Sequence, residues 1–136
     1  MDKIDKATRS RVMASVRSKN TKPELRVRSA AHRLGFRFRL HRKELPGNPD
    51  LVFPSRRIAL FVHGCFWHGH DCSRGQRMPA TNTDYWRGKI RGNVARDAKA
   101  VEALKELGWR PVLIWECQAK ESDLPQLLIA ALGRPG

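Results

Sequence analysis

Ile58-Ala59-Leu60-Phe61-Val62-His63-Gly64-Cys65-Phe66-Trp67-His68-Gly69-His70-Asp71-Cys72 is the stretch on which the fold and the chemistry of this chain turn. Its apolar start, residues 58–62, reads as a buried strand. The eleven residues from Val62 to Cys72 then hold three histidines, two cysteines and a Phe-Trp pair. A merely packed surface has no use for so many metal-binding and base-stacking side chains. Placed at a strand end, they form a site on a rigid mount.

Upstream, Asp50-Leu51-Val52-Phe53 reads as a second strand that opens on a carboxylate. It follows the turn Leu45-Pro46-Gly47-Asn48-Pro49 and joins strand 58–62 through Pro54-Ser55-Arg56-Arg57, as a hairpin. Phe36-Arg37-Phe38-Arg39-Leu40 alternates and predicts another, half-buried strand. Before it, Thr21-Lys22-Pro23-Glu24 opens a helix: Thr21 caps, Pro23 suits the first turn and Glu24 completes a capping box. Val27, Ala30, Ala31 and Leu34 form its apolar stripe, and Gly35 ends it. Downstream, a polar loop over 73–82 precedes a long helix from about Asp84, capped by Thr83, to Leu107. Trp86, Ile90, Val94, Val101 and Leu104 share one face of it with Asn93 and Asp97. Arg110–Trp115 predicts a fourth strand, whose Pro111 belongs at a sheet edge or a strand start. Ser122 and Asp123 cap a last helix through Leu132. The order implies a mixed sheet with helices packed on it, an α/β fold in a single domain over 1–136.

The chain has 136 residues and a net charge of +14. The charge is uneven: residues 1–44 hold 14 Lys/Arg against 4 Asp/Glu, a net of +10. A small basic chain most often meets nucleic acid, because phosphate neutralisation rewards clustered Lys and Arg. The plainer alternatives are a solvated basic surface or a ribosome-associated protein. Residues 1–20 form a basic arm with Met13 and Val16 as its few apolar residues. No run near 18 apolar residues and no signal-peptide core are present, so the expectation is a soluble, cytoplasmic protein with no membrane association. Three cysteines argue against a disulfide framework and for metal binding or chemistry.

Cys65, His70 and Cys72 are close in sequence, and Cys117 follows the fourth strand. If the third and fourth strands are neighbours, the four side chains make a Cys3His site. Such a closed set suits a structural zinc ion, with no open position for water. The alternative is three buried free cysteines and a surface histidine. Asp50, at a strand start, offers a hard oxygen for Mg2+, and the backbone carbonyl of Val62 a second. His63 and His68 are both candidates for the general base. Asp97, inward on its helix, is a candidate to orient one of them, and Glu24 heads a helix placed to cover the same site; taken singly, Glu24 reads as the capping partner of Thr21 and Asp97 as a residue bonded to nearby backbone.

Pro46-Gly47-Asn48-Pro49-Asp50, His63-Gly64-Cys65-Phe66-Trp67-His68, His70-x-Cys72 and Pro79-Ala80-Thr81 together resemble the very short patch repair (Vsr) DNA mismatch endonuclease family. Trp86, Lys89, Asn93-Val94, Asp97, Leu107-Gly108-Trp109 and Trp115-Glu116-Cys117 continue the match, and Asp5–Ser10 is similar to the family's N-terminal segment. The resemblance implies a restriction-endonuclease-like fold with structural Zn2+ on Cys65, His70, Cys72 and Cys117. It implies Mg2+-dependent nicking of double-stranded DNA 5′ to the thymine of a T·G mismatch left by deaminated 5-methylcytosine. A DNA cytosine methyltransferase is then the functional companion, and the enzyme a monomer. The catalytic positions that match are Asp50, His63, His68, Glu24 and Asp97, with Asp50 and the backbone at Val62 on Mg2+, His68 as the base and Asp97 as its support. Phe66, Trp67 and Trp86 match an aromatic wedge beside the mismatch; Met13, Lys89 and Asn93 are further expected DNA contacts. Val62 stands where the family often has threonine. The rival readings are a nicking enzyme of the same fold for another lesion or an unmodified site, and a zinc-braced DNA-binding protein without catalysis.

Overall fold

The computed structural model describes residues 21–70, 72 and 80–133. The basic arm with Met13, and Asp71 and 73–79 of the central loop, lie outside the described residues, so the expectations placed on them do too.

Helix α1 runs Lys22–Arg33, with the Thr21 hydroxyl accepting from the Glu24 amide at 3.4 Å. Val27 and Ala31 are fully buried on its inner face. The carboxylate of Glu24 does not return to the cap; at 2% exposure it turns inward to other partners. The expected strand 36–40 shrinks to β1, Arg39–Leu40. The reason lies in its partner: β2 covers only Leu51–Phe53, and Pro54 then opens a 3-10 turn, Pro54–Arg56. With Arg39 opposite Val52, nothing remains to pair with residues before Phe38. Phe36 and Phe38 instead pack their rings on Phe53, at 6.1 and 5.9 Å.

β3, Ile58–His63, is buried along nearly its whole length because it has neighbours on both sides. β2 pairs with it antiparallel, in a hairpin whose tight return puts Arg57 at φ 52°. β4, Arg110–Trp115, pairs with it in parallel, with Val62 opposite Ile114 and His63 opposite Trp115. Helix α2, Thr83–Glu106, makes the crossover that a parallel pair needs. The sheet order is β1-β2-β3-β4, a mixed four-stranded sheet with helices. β4 is an edge strand, and Pro111 sits at its second position, as the missing N–H requires.

Alternation along β3 separates two cores. Ile58 and Leu60 join Val27, Phe53, Ile114 and Leu128 beneath α1, the short helix α3 (Glu116–Ala119) and α4 (Leu124–Leu132). Ala59 and Phe61 face the other way, with Leu45, Val52 and Leu104 of α2. His63 continues this second face, which brings it toward α2. The α2 stripe is narrower than its periodicity suggests: Leu104 and Asn93 are buried, but Val94 is 46% exposed. The helix also begins one residue earlier than expected. Asn82, at φ 57°, holds the cap position without a side-chain bond, while the Thr83 hydroxyl donates to the Ala80 carbonyl. Asp123 occupies the cap of α4, likewise without a side-chain bond. Among the described residues no helix is long and apolar enough to cross a membrane.

Candidate active site and metal centre

The β2–β3 hairpin fixes the first half of the site. The Asp50 amide donates to the Leu60 carbonyl at 3.0 Å, and the Val62 amide donates to Asp50 Oδ2 at 2.7 Å. The turn before Asp50 admits no side chain at Gly47: its φ is +79°, and a Cβ there would lie 2.7 Å from Ala100 Cβ and 3.1 Å from the Phe61 ring. Glu24, from the first turn of α1, meets His41 Nε2 at 2.8 Å and Arg28 Nη1 at 3.4 Å. Ligand atoms of Glu24, His41 and Asp50 lie within 4.8 Å of one another. Burial, reinforced by the negative charge of Glu24 and opposed by the Val62 N–H, pushes the Asp50 carboxyl up to about 7. Two crowded carboxylates in a poorly solvated pocket call for a cation.

His63, His68 and Asp97 form the second half. His68 Nδ1 lies 2.6 Å from Asp97 Oδ2, the first residue held on the loop after β3 and the second on α2. A hydrogen bond there makes Nδ1 the donor and leaves Nε2 as the proton-accepting nitrogen of the neutral ring. The His63 ring stacks on His68, centroids 3.7 Å apart and planes within 7°. Burial first, then the charge of His68, lowers His63 to about 4, against the opposing pull of Asp97. His63 is therefore a neutral ring near pH 7, and its buried Nδ1, 3.7 Å from Asp97, has no hydrogen-bond partner among the described residues. Both halves line one cleft of about 490 Å3, which Asp50, Glu24, Val62, His63, His68 and Asp97 share. So the plain readings of Glu24 and Asp97, as capping partner and backbone-bonded residue, do not describe where their carboxylates go.

Cys65, His70, Cys72 and Cys117 also converge, their ligand atoms within 4.8 Å of one another. The parallel pairing of β3 with β4 does this, because α3 follows β4 directly and carries Cys117 at its second position. His70 Nδ1 is 3.7 Å from Cys117 Sγ. Two ligands of a tetrahedral zinc ion, with Zn–S about 2.3 Å and Zn–N about 2.0–2.1 Å, would sit about 3.6 Å apart. All three cysteines are unbridged. Burial and the adjoining thiols of Cys72 and Cys117 push the Cys65 thiol up to about 12, so the cluster needs a cation to become thiolate. His70 stacks on Trp115 at 4.2 Å, and the His70 amide donates to the Cys65 carbonyl, closing the loop on itself.

The aromatics of the loop and of α2 form a cluster of their own. Phe66, Trp67 and Trp86 are half-buried and meet edge to face, with centroids 5.1 to 5.9 Å apart. Gly69, at φ +67°, lets the loop approach α2; a Cβ there would lie 3.0 Å from Ile90 Cγ2. Asn93, expected at the DNA, is 7% exposed. Its Nδ2 donates to the Trp67 carbonyl at 2.7 Å and its Oδ1 accepts from Arg96 at 2.7 Å, so it braces the aromatic loop. Lys89 is half-buried one turn earlier on α2.

The family model described as "DNA mismatch endonuclease Vsr" matches residues 1–74. This chain belongs to the Vsr family. It is 55% identical over 126 residues to "Type II nicking enzyme V.XorIIP" of Xanthomonas oryzae pv. oryzae, covering 93% of this chain and 90% of that one. It is 44% identical over 116 residues to "DNA mismatch endonuclease Vsr" of Escherichia coli K12, covering 85% and 74%. It is 41% identical over 116 residues to "Type II nicking enzyme V.NmeAIP" of Neisseria meningitidis, covering 85% and 82%. The Vsr-family chain is thus a DNA endonuclease. Asp97 and Cys117 lie beyond the matched segment, and the fold carries them to it.

Two residues that border this Vsr-family site escape a reading of the sequence. His41 reaches Glu24 across 17 positions, and its only local signal is its place just after an alternating stretch. Glu116 accepts from the Cys65 amide at 3.2 Å, tying α3 to the loop between the two centres.

Proposed function

We propose that this endonuclease nicks double-stranded DNA on the 5′ side of the thymine in a T·G mismatch, as one step of very short patch repair. The observation that carries the reading is the convergence of a carboxylate pair and a carboxylate-oriented histidine on one cleft that Trp67, of the edge-to-face cluster Phe66, Trp67 and Trp86, also lines.

Asp50 and Glu24 supply hard carboxylate oxygens, the donor type Mg2+ prefers. The Val62 carbonyl leaves β3 on the same edge as the Val62 N–H that reaches Asp50, and would complete the set. Held there, Mg2+ would offset the charge of the scissile phosphate and polarise its oxygen. His68 takes the proton of the attacking water at Nε2, because Nδ1–H is committed to Asp97. Asp97 then stabilises the imidazolium that forms. His63 stays neutral and, stacked on His68, keeps that ring from turning.

Cys65, His70, Cys72 and Cys117 hold a structural Zn2+ that braces the loop bearing Phe66 and Trp67. A T·G wobble pair is less well stacked than matched neighbours, so opening the duplex there costs less. Phe66, Trp67 and Trp86 wedge into that step and replace the lost stacking. Lys89 and the basic arm with Met13 grip the duplex as a monomer. The lesion chemistry makes a DNA cytosine methyltransferase the companion activity, in the cytoplasm where chromosomal DNA lies.

The test offers end-labelled duplexes carrying T·G, other mismatches or matched pairs, in Mg2+, and maps each nick. A nick confined to the T·G duplex, 5′ to the thymine, supports the reading. Equal nicking of matched DNA would make the chain a site-specific nicking enzyme instead.

A further inference from the structure

His41 is a half-buried histidine that the mechanism above leaves without a role. It follows β1 and adopts φ 51°, a left-handed conformation that few non-glycine residues take, though His and Asn are enriched there. That conformation lets one residue hold both the backbone of Asp50 and the carboxylate of Glu24. The His41 amide donates to the backbone carbonyl of Asp50 at 3.3 Å, while His41 Nε2 lies 2.8 Å from Glu24 Oε2. Its side chain is 15% exposed and that of Glu24 is 2% exposed, so water competes little for the bond. Arg28 also reaches Glu24 Oε2, at 3.4 Å, but from one turn along the same helix, and its side chain is 25% exposed. His41 alone of these partners ties α1 to the strand that leads into Asp50.

We propose that His41 is a positioning residue: its imidazole N–H holds the Glu24 carboxylate in place opposite Asp50 for the cation the two share. The proposal rests on the cation-binding reading of Asp50 and Glu24. His41 needs no contact with the ion, since its Nε2 is already committed to Glu24.

The test uses the full zinc-loaded chain and Mn2+ as the probe, with free ion counted by electron paramagnetic resonance. His41→Asn keeps a residue that tolerates the left-handed backbone but is too short to reach Glu24. It should weaken Mn2+ binding about tenfold, the usual worth of a hydrogen bond to a charged group. His41→Gln, long enough to donate to the same oxygen, should bind within about threefold of wild type by the same measure. In a Glu24→Gln background, adding His41→Asn should change nothing further, because the effect runs through Glu24. Thermal melting confirms that each variant folds. Unchanged affinity in His41→Asn, or a full loss that persists in the Glu24→Gln background, overturns the positioning role while Asp50→Asn still lowers affinity. If Asp50→Asn leaves Mn2+ binding untouched, the cation site and the role of His41 fall together.

Discussion

Replacing Asp50 by asparagine should stabilise the metal-free protein, and more so as pH rises. Asp50 is buried beside Glu24, and its carboxyl titrates at about 7 rather than at its ordinary 3.8. A carboxyl raised in the folded state binds its proton more tightly there than in the unfolded chain. Stability is therefore lost as pH rises from about 4 through about 7, where the folded carboxyl finally ionises. Over pH 5 to 8 the linkage amounts to at most about 2.6 kcal/mol, and residual solvent and relaxation of Glu24 reduce it to about 1–2 kcal/mol. Asparagine keeps an oxygen to accept the Val62 N–H but never ionises. His63, lowered to about 4, acts in the opposite direction, its neutral form favouring the fold as pH rises above about 4. The comparison between wild type and Asp50→Asn at each pH removes that contribution. In a chelator that spares the zinc site, Asp50→Asn should melt higher than wild type at pH 8, by about 4–8 °C more than at pH 5. Saturating Mg2+ should raise wild type at pH 8 and leave Asp50→Asn unmoved. Parallel melting curves at the two pH values would refute the reasoning, and so would a Mg2+ response in the variant.

Purified protein should carry one zinc ion per chain, and Cys72→Ser should lose it and melt lower; zinc-free wild type by metal analysis would contradict the centre. Trp67→Ala should keep the zinc and the fold yet lose preference for T·G over matched duplex, since stacking is worth about 1–3 kcal/mol per base; equal discrimination by wild type and variant, in binding to both duplexes, would exclude the wedge. Deleting residues 1–18 should flatten the salt dependence of DNA binding, each phosphate contact contributing about −0.9 to the log–log slope; an unchanged slope would mean that the arm touches no phosphates.

Much of the site was legible because its side chains cluster in sequence. Cys65, His70 and Cys72 share one loop, and only the distant Cys117 needed the pairing of β3 with β4 to reach them. The hairpin that presents Asp50 followed from the apolar runs and the Pro-Gly-Asn-Pro turn. What stayed hidden depends on tertiary direction. Glu24 fits a capping box by spacing, but burial turns its carboxylate to His41 and the cleft. Asn93 shares a helical face with Asp97, and spacing alone does not say that its amide meets the Trp67 carbonyl. The alternation of residues 36–40 is real, yet pairing needs a partner, and Pro54 removes it. His41 has no local signal beyond its place after that stretch, since its contact with Glu24 joins residues 17 positions apart.

On the proposed mechanism the carboxylate pair and the His68–Asp97 pair act on one phosphodiester bond. Single-turnover nicking of a T·G duplex in Mg2+, by wild type, Asp50→Asn, His68→Gln and the double variant, tests it most directly. Each single variant should bind the duplex and nick about 10²–10⁴-fold more slowly, and the double variant should be scarcely slower than the worse single one, as expected of residues that work as a unit. Nicking at the wild-type rate by Asp50→Asn or by His68→Gln would contradict the account.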